Sequence, residues 1–260
     1  MKNLFYLSFI FILFSCQNKK TQSTINSIEN PFFQEWNTPF GVPPFNLIKD
    51  EHYMPAFEKG MKENMDEIDI IVNNKEKPTF ENTIEALERT GKLLTKVQRV
   101  FSNLASSNTN PKLQELQREL SPLLSAHYDK ISLNEGLFLR VEEIWKEKNI
   151  LNLTNEQKKL LDDTRKQFVR SGALLNKEQK EQITTINSKI SELTTKFGQN
   201  LLAETNGFEL ILEKKDLDGL SESVIAAAAE AASQKMNKAE TDDEKNKYKE
   251  KYLFTPHRTS

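Results

Sequence analysis

Three histidines and one cysteine are the residues best suited to metal or nucleophilic chemistry in this sequence, and their spacing restricts what they can do. A catalytic zinc site carried on one helix needs two imidazoles four positions apart, so that both reach the metal from successive turns. His52, His127 and His257 are far from one another, and none has a histidine four positions away. The lone thiol, Cys16, excludes an intrachain disulfide and a thiolate metal cluster, both of which need further cysteines. His127 continues an apolar run through Leu113, Leu116, Leu120 and Leu123, where a histidine is usually a hydrogen-bonded core residue. His257 falls in a polar tail and reads as solvated. Glu142-Glu143 and Asp162-Asp163 have the context of a solvated helix face rather than of a carboxylate dyad. Lys19-Lys20, Lys158-Lys159 and Lys214-Lys215 are isolated pairs of surface charge, and the sequence has neither a Gly-rich phosphate loop nor a Gly-x-Ser-x-Gly elbow. No catalytic residue and no metal ligand is assigned to this chain.

The elements that would position such residues are mainly helical. The chain has 260 residues, with 36 Lys and Arg against 38 Asp and Glu and a formal net charge of -2. That balance leaves no basic footprint for nucleic acid. With 8 Gly and 9 Pro there are few helix breakers, and 37% hydrophobic beside 28% charged residues suits long helices with solvated outer faces.

Residues 1–15 read as an address rather than as fold. Lys2 precedes an apolar run from Leu4 to Phe14, short for a bilayer span of about 20 residues and right for a signal-peptide core. Leu13-Phe14-Ser15-Cys16 resembles a bacterial lipobox, with cleavage between Ser15 and Cys16 and lipid added to Cys16. Acyl chains there would replace the removed segment as membrane anchor. An ordinary secretory signal with an incidental cysteine is the alternative. Residues 16–29 are polar and read as a flexible tether. No acidic cluster follows Cys16, so the expected location is an exported protein anchored by lipid to a bacterial membrane and facing the periplasm.

Residues 30–260 form the folded part. The Pro- and aromatic-rich stretch from Asn30 to Phe45 is expected to lie extended, anchored by Trp36, Phe40 and Phe45. A helix follows over Asp50 to Asn73, with Phe57, Met61, Met65, Ile68 and Val72 on one face. Thr79 is placed as an N-cap, and behind it Ile84, Leu87, Leu94, Val97, Phe101 and Leu104 form one stripe. Pro111 opens the next helix, and Leu137, Val141, Ile144 and Trp145 mark another. Thr154 with Gln157, and Asn176 with Gln179, have capping-box spacing. Ile183, Ile186, Ile190, Leu193, Phe197 and Leu201 recur in steps of three and four, which predicts a helix packed along most of its length, with a free coiled coil as the alternative. Phe208 to Leu212 alternates like a strand and is expected to pair antiparallel with Tyr252 to Thr255, enclosing a helix from Ser221 to Ser233.

Several segments in order resemble the N-terminal part of the M3 family of zinc peptidases, in its peptidyl-dipeptidase (dipeptidyl carboxypeptidase) branch. They include Pro39-Phe40-Gly41-Val42-Pro43-Pro44-Phe45, Glu51-His52-Tyr53-Met54-Pro55-Ala56-Phe57, Pro78-Thr79-Phe80-Glu81-Asn82-Thr83, Arg89-Thr90-Gly91, Phe168-Val169-Arg170-Ser171-Gly172-Ala173 and Thr195-Lys196-Phe197-Gly198-Gln199-Asn200. The resemblance covers nearly all of residues 30–255. It implies a multi-helix lobe of a clamshell around a deep channel, with a small antiparallel β unit near its C-terminal end. It also implies chemistry by a zinc held through His-Glu-x-x-His and a downstream Glu, which removes dipeptides from the free C-terminus of short peptides. That motif has no counterpart here, so zinc belongs to the complete family enzyme and none is expected on this chain, which is expected to be inactive alone. The family continues beyond Phe254-Thr255 where this chain has Pro256 to Ser260, and a truncated product or a separately encoded catalytic half is expected. The other reading is a non-enzymatic helical lipoprotein, a scaffold or binding module.

Overall fold

The computed structural model describes residues 30–256. The signal segment 1–15, the Ser15–Cys16 junction, the tether 16–29 and His257 lie outside the described residues. Within them the fold is mainly helical, with a small antiparallel pair of strands near its C-terminal end.

The first core gathers α1 (Tyr53–Asn73), α3 (Lys92–Ser107) and the first part of α4 (Pro111–Ser132) around Phe32, Phe57, Leu94, Val97, Phe101 and Leu120. Phe101 sits edge-on to both Tyr53 and Phe57, with centroids 5.1 and 5.5 Å apart. The edge-to-face arrangement sets the positive rim of one ring against the negative face of the next. α1 and α3 approach closely because position 60 is glycine: a Cβ there would stand 2.9 Å from the Leu94 backbone.

The approach to this core differs from the sequence expectation. Asn30 Oδ1 accepts the Phe32 N–H and caps a 3-10 turn, Pro31–Phe33, which seats Phe32 in the core. Trp36 is an anchor, donating from Nε1 to the Pro31 carbonyl at 2.9 Å beneath the Lys96 ammonium. Phe40 and Phe45 are not anchors, for both are exposed. Phe40 has φ 58 inside the tight turn Pro39–Gly41, and local bonds such as Gly41 N–H to Thr38 O close the loop on itself and leave the rings outside.

The second core packs the end of α1 against a π-helical stretch (Phe80–Glu85), α2 (Ala86–Glu88), α5 (Glu135–Glu147) and α6 (Asn155–Ser171). Ile68, Ile84, Leu137, Val141, Ile144 and Leu161 are its fully buried members. Arg140 is buried with them and donates to Thr83 Oγ1, Asn82 Oδ1 and the Asn74 carbonyl, fastening the 74–83 loop. The caps at Thr79 and Thr154 form as their spacing predicts, each hydroxyl accepting the N–H three residues on.

The single stripe expected from Ile84 to Leu104 is two stripes. Gly91, at φ 69, breaks the helix, so Ile84 and Leu87 face the second core while Leu94, Val97 and Phe101 face the first. A left-handed residue redirects the chain at low cost only where no Cβ is present. On α4, Leu123 is exposed, and Leu124 packs on the first core instead.

The larger correction concerns α7 (Lys177–Gly207). It forms, capped by Asn176 with Gln179, but none of its residues is buried, so the expected packing of its stripe does not occur. Beyond it, β1 (Leu210–Leu212) pairs antiparallel with β2 (Tyr252–Phe254), Ile211 opposite Leu253. α8 (Glu222–Lys238) and α9 (Asp242–Tyr248) cover the pair, with Ala232, Tyr248 and Leu253 at the centre. No helix among the described residues is long and apolar enough to cross a membrane.

Candidate functional site

Two features stand out, and each arises from a local rule being broken. The first is a polar joint between the two cores. Because Gly91 interrupts the helical run, its backbone N–H is free to donate to Glu67 Oε2 at 2.7 Å. The Asn64 side chain lies beneath it, so close that a Cβ at position 91 would stand 3.1 Å from Asn64 Nδ2. Asn64 Oδ1 in turn accepts from His127 Nε2 at 2.8 Å, which requires the Nε2-protonated tautomer. Burial, with Lys130 nearby, pushes the His127 pKa below its usual value, so the ring is held neutral.

Two residues along, Asp129 is buried and spans to α7, where Oδ1 accepts from Asn187 Nδ2 at 2.8 Å; Oδ2 has no hydrogen-bond partner among the described residues. A cleft of about 470 Å³ opens beside these groups, lined by Asn64, Thr90, Tyr128, Asp129, Thr164 and Phe168 among others. Tyr128 donates to Gln98 Oε1 at 2.7 Å, and burial raises its pKa. Such a lining can accept and donate hydrogen bonds. His127, behind it, is committed to Asn64 through Nε2.

The second feature is the division of α7 into two faces. Towards α4 it turns Asn187, Thr195 and Gln199: Thr195 Oγ1 meets Ser121 Oγ at 2.6 Å, Gln199 Nε2 donates to the Gln114 carbonyl at 2.8 Å, and Arg118 donates to Gln199 Oε1 at 2.7 Å. Residues three and four apart share a helix face, so the apolar series falls on the opposite side. Ile186, Ile190, Leu193, Phe197 and Leu201 are 55, 55, 52, 68 and 55% exposed.

His52 and His127, the two histidines among the described residues, stand in different places. His52 Nδ1 accepts the Lys49 N–H at 3.0 Å at the mouth of α1, whereas His127 lies in the joint. No group of three His, Cys, Asp or Glu side chains among the described residues is placed to hold a metal ion. The donor set does not fit a zinc site, and no step through zinc is derived for these residues. The polar joint was not foreseen from sequence, although a glycine inside an apolar stripe, at Gly91, is a signal that a helix ends.

No family model matches the chain. It is 38% identical over 207 residues, 79% of its length, to the dipeptidyl carboxypeptidase of Salmonella typhimurium (strain LT2), and equally to that of Escherichia coli (strain K12). It is 30% identical over 199 residues, 76% of its length, to oligopeptidase A of Escherichia coli. The chain spans 30% of the length of the two carboxypeptidases and 29% of that of the oligopeptidase.

Proposed function

The chain belongs to the M3 family of peptidases, and on that premise we propose that it forms the N-terminal, substrate-channel lobe of a zinc-dependent peptidyl-dipeptidase. The complete enzyme would release C-terminal dipeptides from short peptides. The observation that carries this reading is the 38% identity to dipeptidyl carboxypeptidases along 79% of the chain. The zinc ligands would come from the portion of the family fold beyond these residues, since this sequence carries no His-Glu-x-x-His. On its own the lobe would wall one side of a channel and exclude folded substrates, without hydrolysing any.

Purified chain incubated with zinc and an N-acetylated tetrapeptide bearing a free C-terminus tests this. The expected result is no dipeptide release and no zinc retained after dialysis. Chelator-sensitive release by the isolated chain would overturn it.

We also propose that the chain is exported and anchored to a bacterial membrane, facing the periplasm, through lipid on Cys16 after cleavage between Ser15 and Cys16. Cys16→Ala is expected to abolish incorporation of labelled fatty acid and to release the protein from the membrane fraction. Labelling that persists in the variant would refute the assignment.

A further inference from the structure

We propose that the outward stripe of α7 is the surface on which the metal-bearing portion of the family fold docks. This rests on the lobe reading above and gives that reading a specific interface. The stripe is too regular to be incidental. From Ile186 to Leu201 its large apolar side chains recur every three or four positions, each more than half exposed. At 1.5 Å per residue this is a strip of roughly 22 Å. Isolated exposed apolar residues are ordinary, but a contiguous strip of this kind marks a contact surface.

The orientation of α7 is fixed rather than a matter of rotation. Turning the stripe inward would pull Asn187 from Asp129, Thr195 from Ser121 and Gln199 from Gln114. It would press Ile and Phe side chains against the polar groups left behind. The helix is therefore built to face two ways, with hydrogen bonds behind and apolar side chains in front.

The two flanks of the stripe are unequal. Lys189, Glu192 and Lys196 lie along one side, where Lys189 pairs with Glu192 at 2.8 Å. Thr194 and Gly198 lie along the other, and a Cβ on Gly198 would meet nothing within 4 Å. A partner can thus approach closely from the small-residue side while the charged side stays in water. The charges there are mixed in sign, which suits a protein surface and gives no field for anionic lipid or nucleic acid.

The extent of the relatives identifies the occupant. The matched stretch is 30% of the dipeptidyl carboxypeptidases, so more than twice as much chain lies outside it as within it. A second copy of this chain fits less well. Pairing two such strips would bury on the order of 500 Å² per copy, short of the ~800 Å² per partner typical of a stable interface.

The test is a full-length chimera in which this chain's matched residues replace their counterpart in the Escherichia coli dipeptidyl carboxypeptidase. The unsubstituted chimera is expected to retain zinc and release dipeptides. Ile190→Asp with Phe197→Asp is expected to lower the yield of soluble, zinc-loaded chimera at least tenfold. In this chain alone, the same pair is expected to leave helicity and melting temperature unchanged while reducing binding of an apolar dye. A doubly substituted chimera that matches its parent in yield and melting temperature would overturn the docking surface while leaving the lobe reading intact. An isolated chain that dimerises through the stripe, and becomes monomeric on substitution, would overturn it in favour of a second copy. An unsubstituted chimera that neither folds nor holds zinc would remove the lobe reading, and the docking surface with it.

Discussion

α3 and α7 are both amphipathic helices, yet one hides its stripe and the other displays it. Leu94, Val97 and Phe101 of α3 are buried against α1, where Gly60 lets the two backbones close. On α7 Ile186, Ile190 and Phe197 are exposed while threonine, asparagine and glutamine make the contact with α4. The difference lies in the neighbouring surface and not in the helices. α1 offers α3 an apolar face, whereas α4 spends its apolar face on the first core and meets α7 with Ser121, Arg118 and Asp129. Periodicity states that a helix has an apolar side. What covers that side is decided by chain far away in sequence.

The largest expected effect sets the two helices' contacts directly against each other. Phe57→Ala, which removes a ring buried against Phe101, is expected to cost about 3–5 kcal/mol in denaturant unfolding. Phe197→Ala on α7 is expected to stay within about 0.5 kcal/mol. Equal losses at the two positions would break the comparison. Next, Gly60→Val should force α1 from α3, since its Cβ would meet the Leu94 backbone, at a cost of about 1–3 kcal/mol. Gly198→Ala on the open flank of α7 should be neutral or slightly stabilising through helix propensity, by up to about 1 kcal/mol. Thr154→Ala, which strips the cap from α6, is expected to cost about 1 kcal/mol by thermal or denaturant unfolding.

The smallest effect belongs to the C-terminal unit and depends on pH. Lys235 and Lys247 hydrogen-bond Glu209, with Tyr248 assisting, and hold its carboxyl down at about 2. A carboxyl depressed in the folded state contributes stability that is complete above its ordinary value of 4.5 and is lost as pH falls towards 2. Amide exchange of Tyr252–Phe254 is expected to quicken over that window, and Glu209→Gln should flatten the dependence. The lysines are half exposed, so solvent screening keeps the effect modest.

Much of the fold can be read from the residues, and the part that cannot has a physical cause. Thr154 with Gln157 and Asn176 with Gln179 predict helix starts because a cap is satisfied within four residues. The alternating segment Phe208–Leu212 becomes a strand only at Leu210–Leu212, and it finds its partner at Tyr252–Phe254. Phe40 and Phe45 misled because aromaticity signals burial only when the backbone aims the ring inward, and a tight Pro-rich turn does not. The polar joint was hidden for another reason: Asn64, Gly91 and His127 are distant in sequence, and only the packing of α1 against the start of α3 and against α4 brings them together.

The seam between α4 and α7 carries a mechanical consequence. A joint made of oil-like side chains cannot loosen without presenting them to solvent, but a joint made of amides and hydroxyls can exchange each bond for one to water. The Ser121–Thr195 and Gln199–Gln114 contacts are of that kind. These bonds set which face α7 turns to α4, and the helix is expected to part from α4 more readily than α1 parts from its core. Hydrogen exchange should register this as a long helix that labels early beside neighbours that label only on global unfolding.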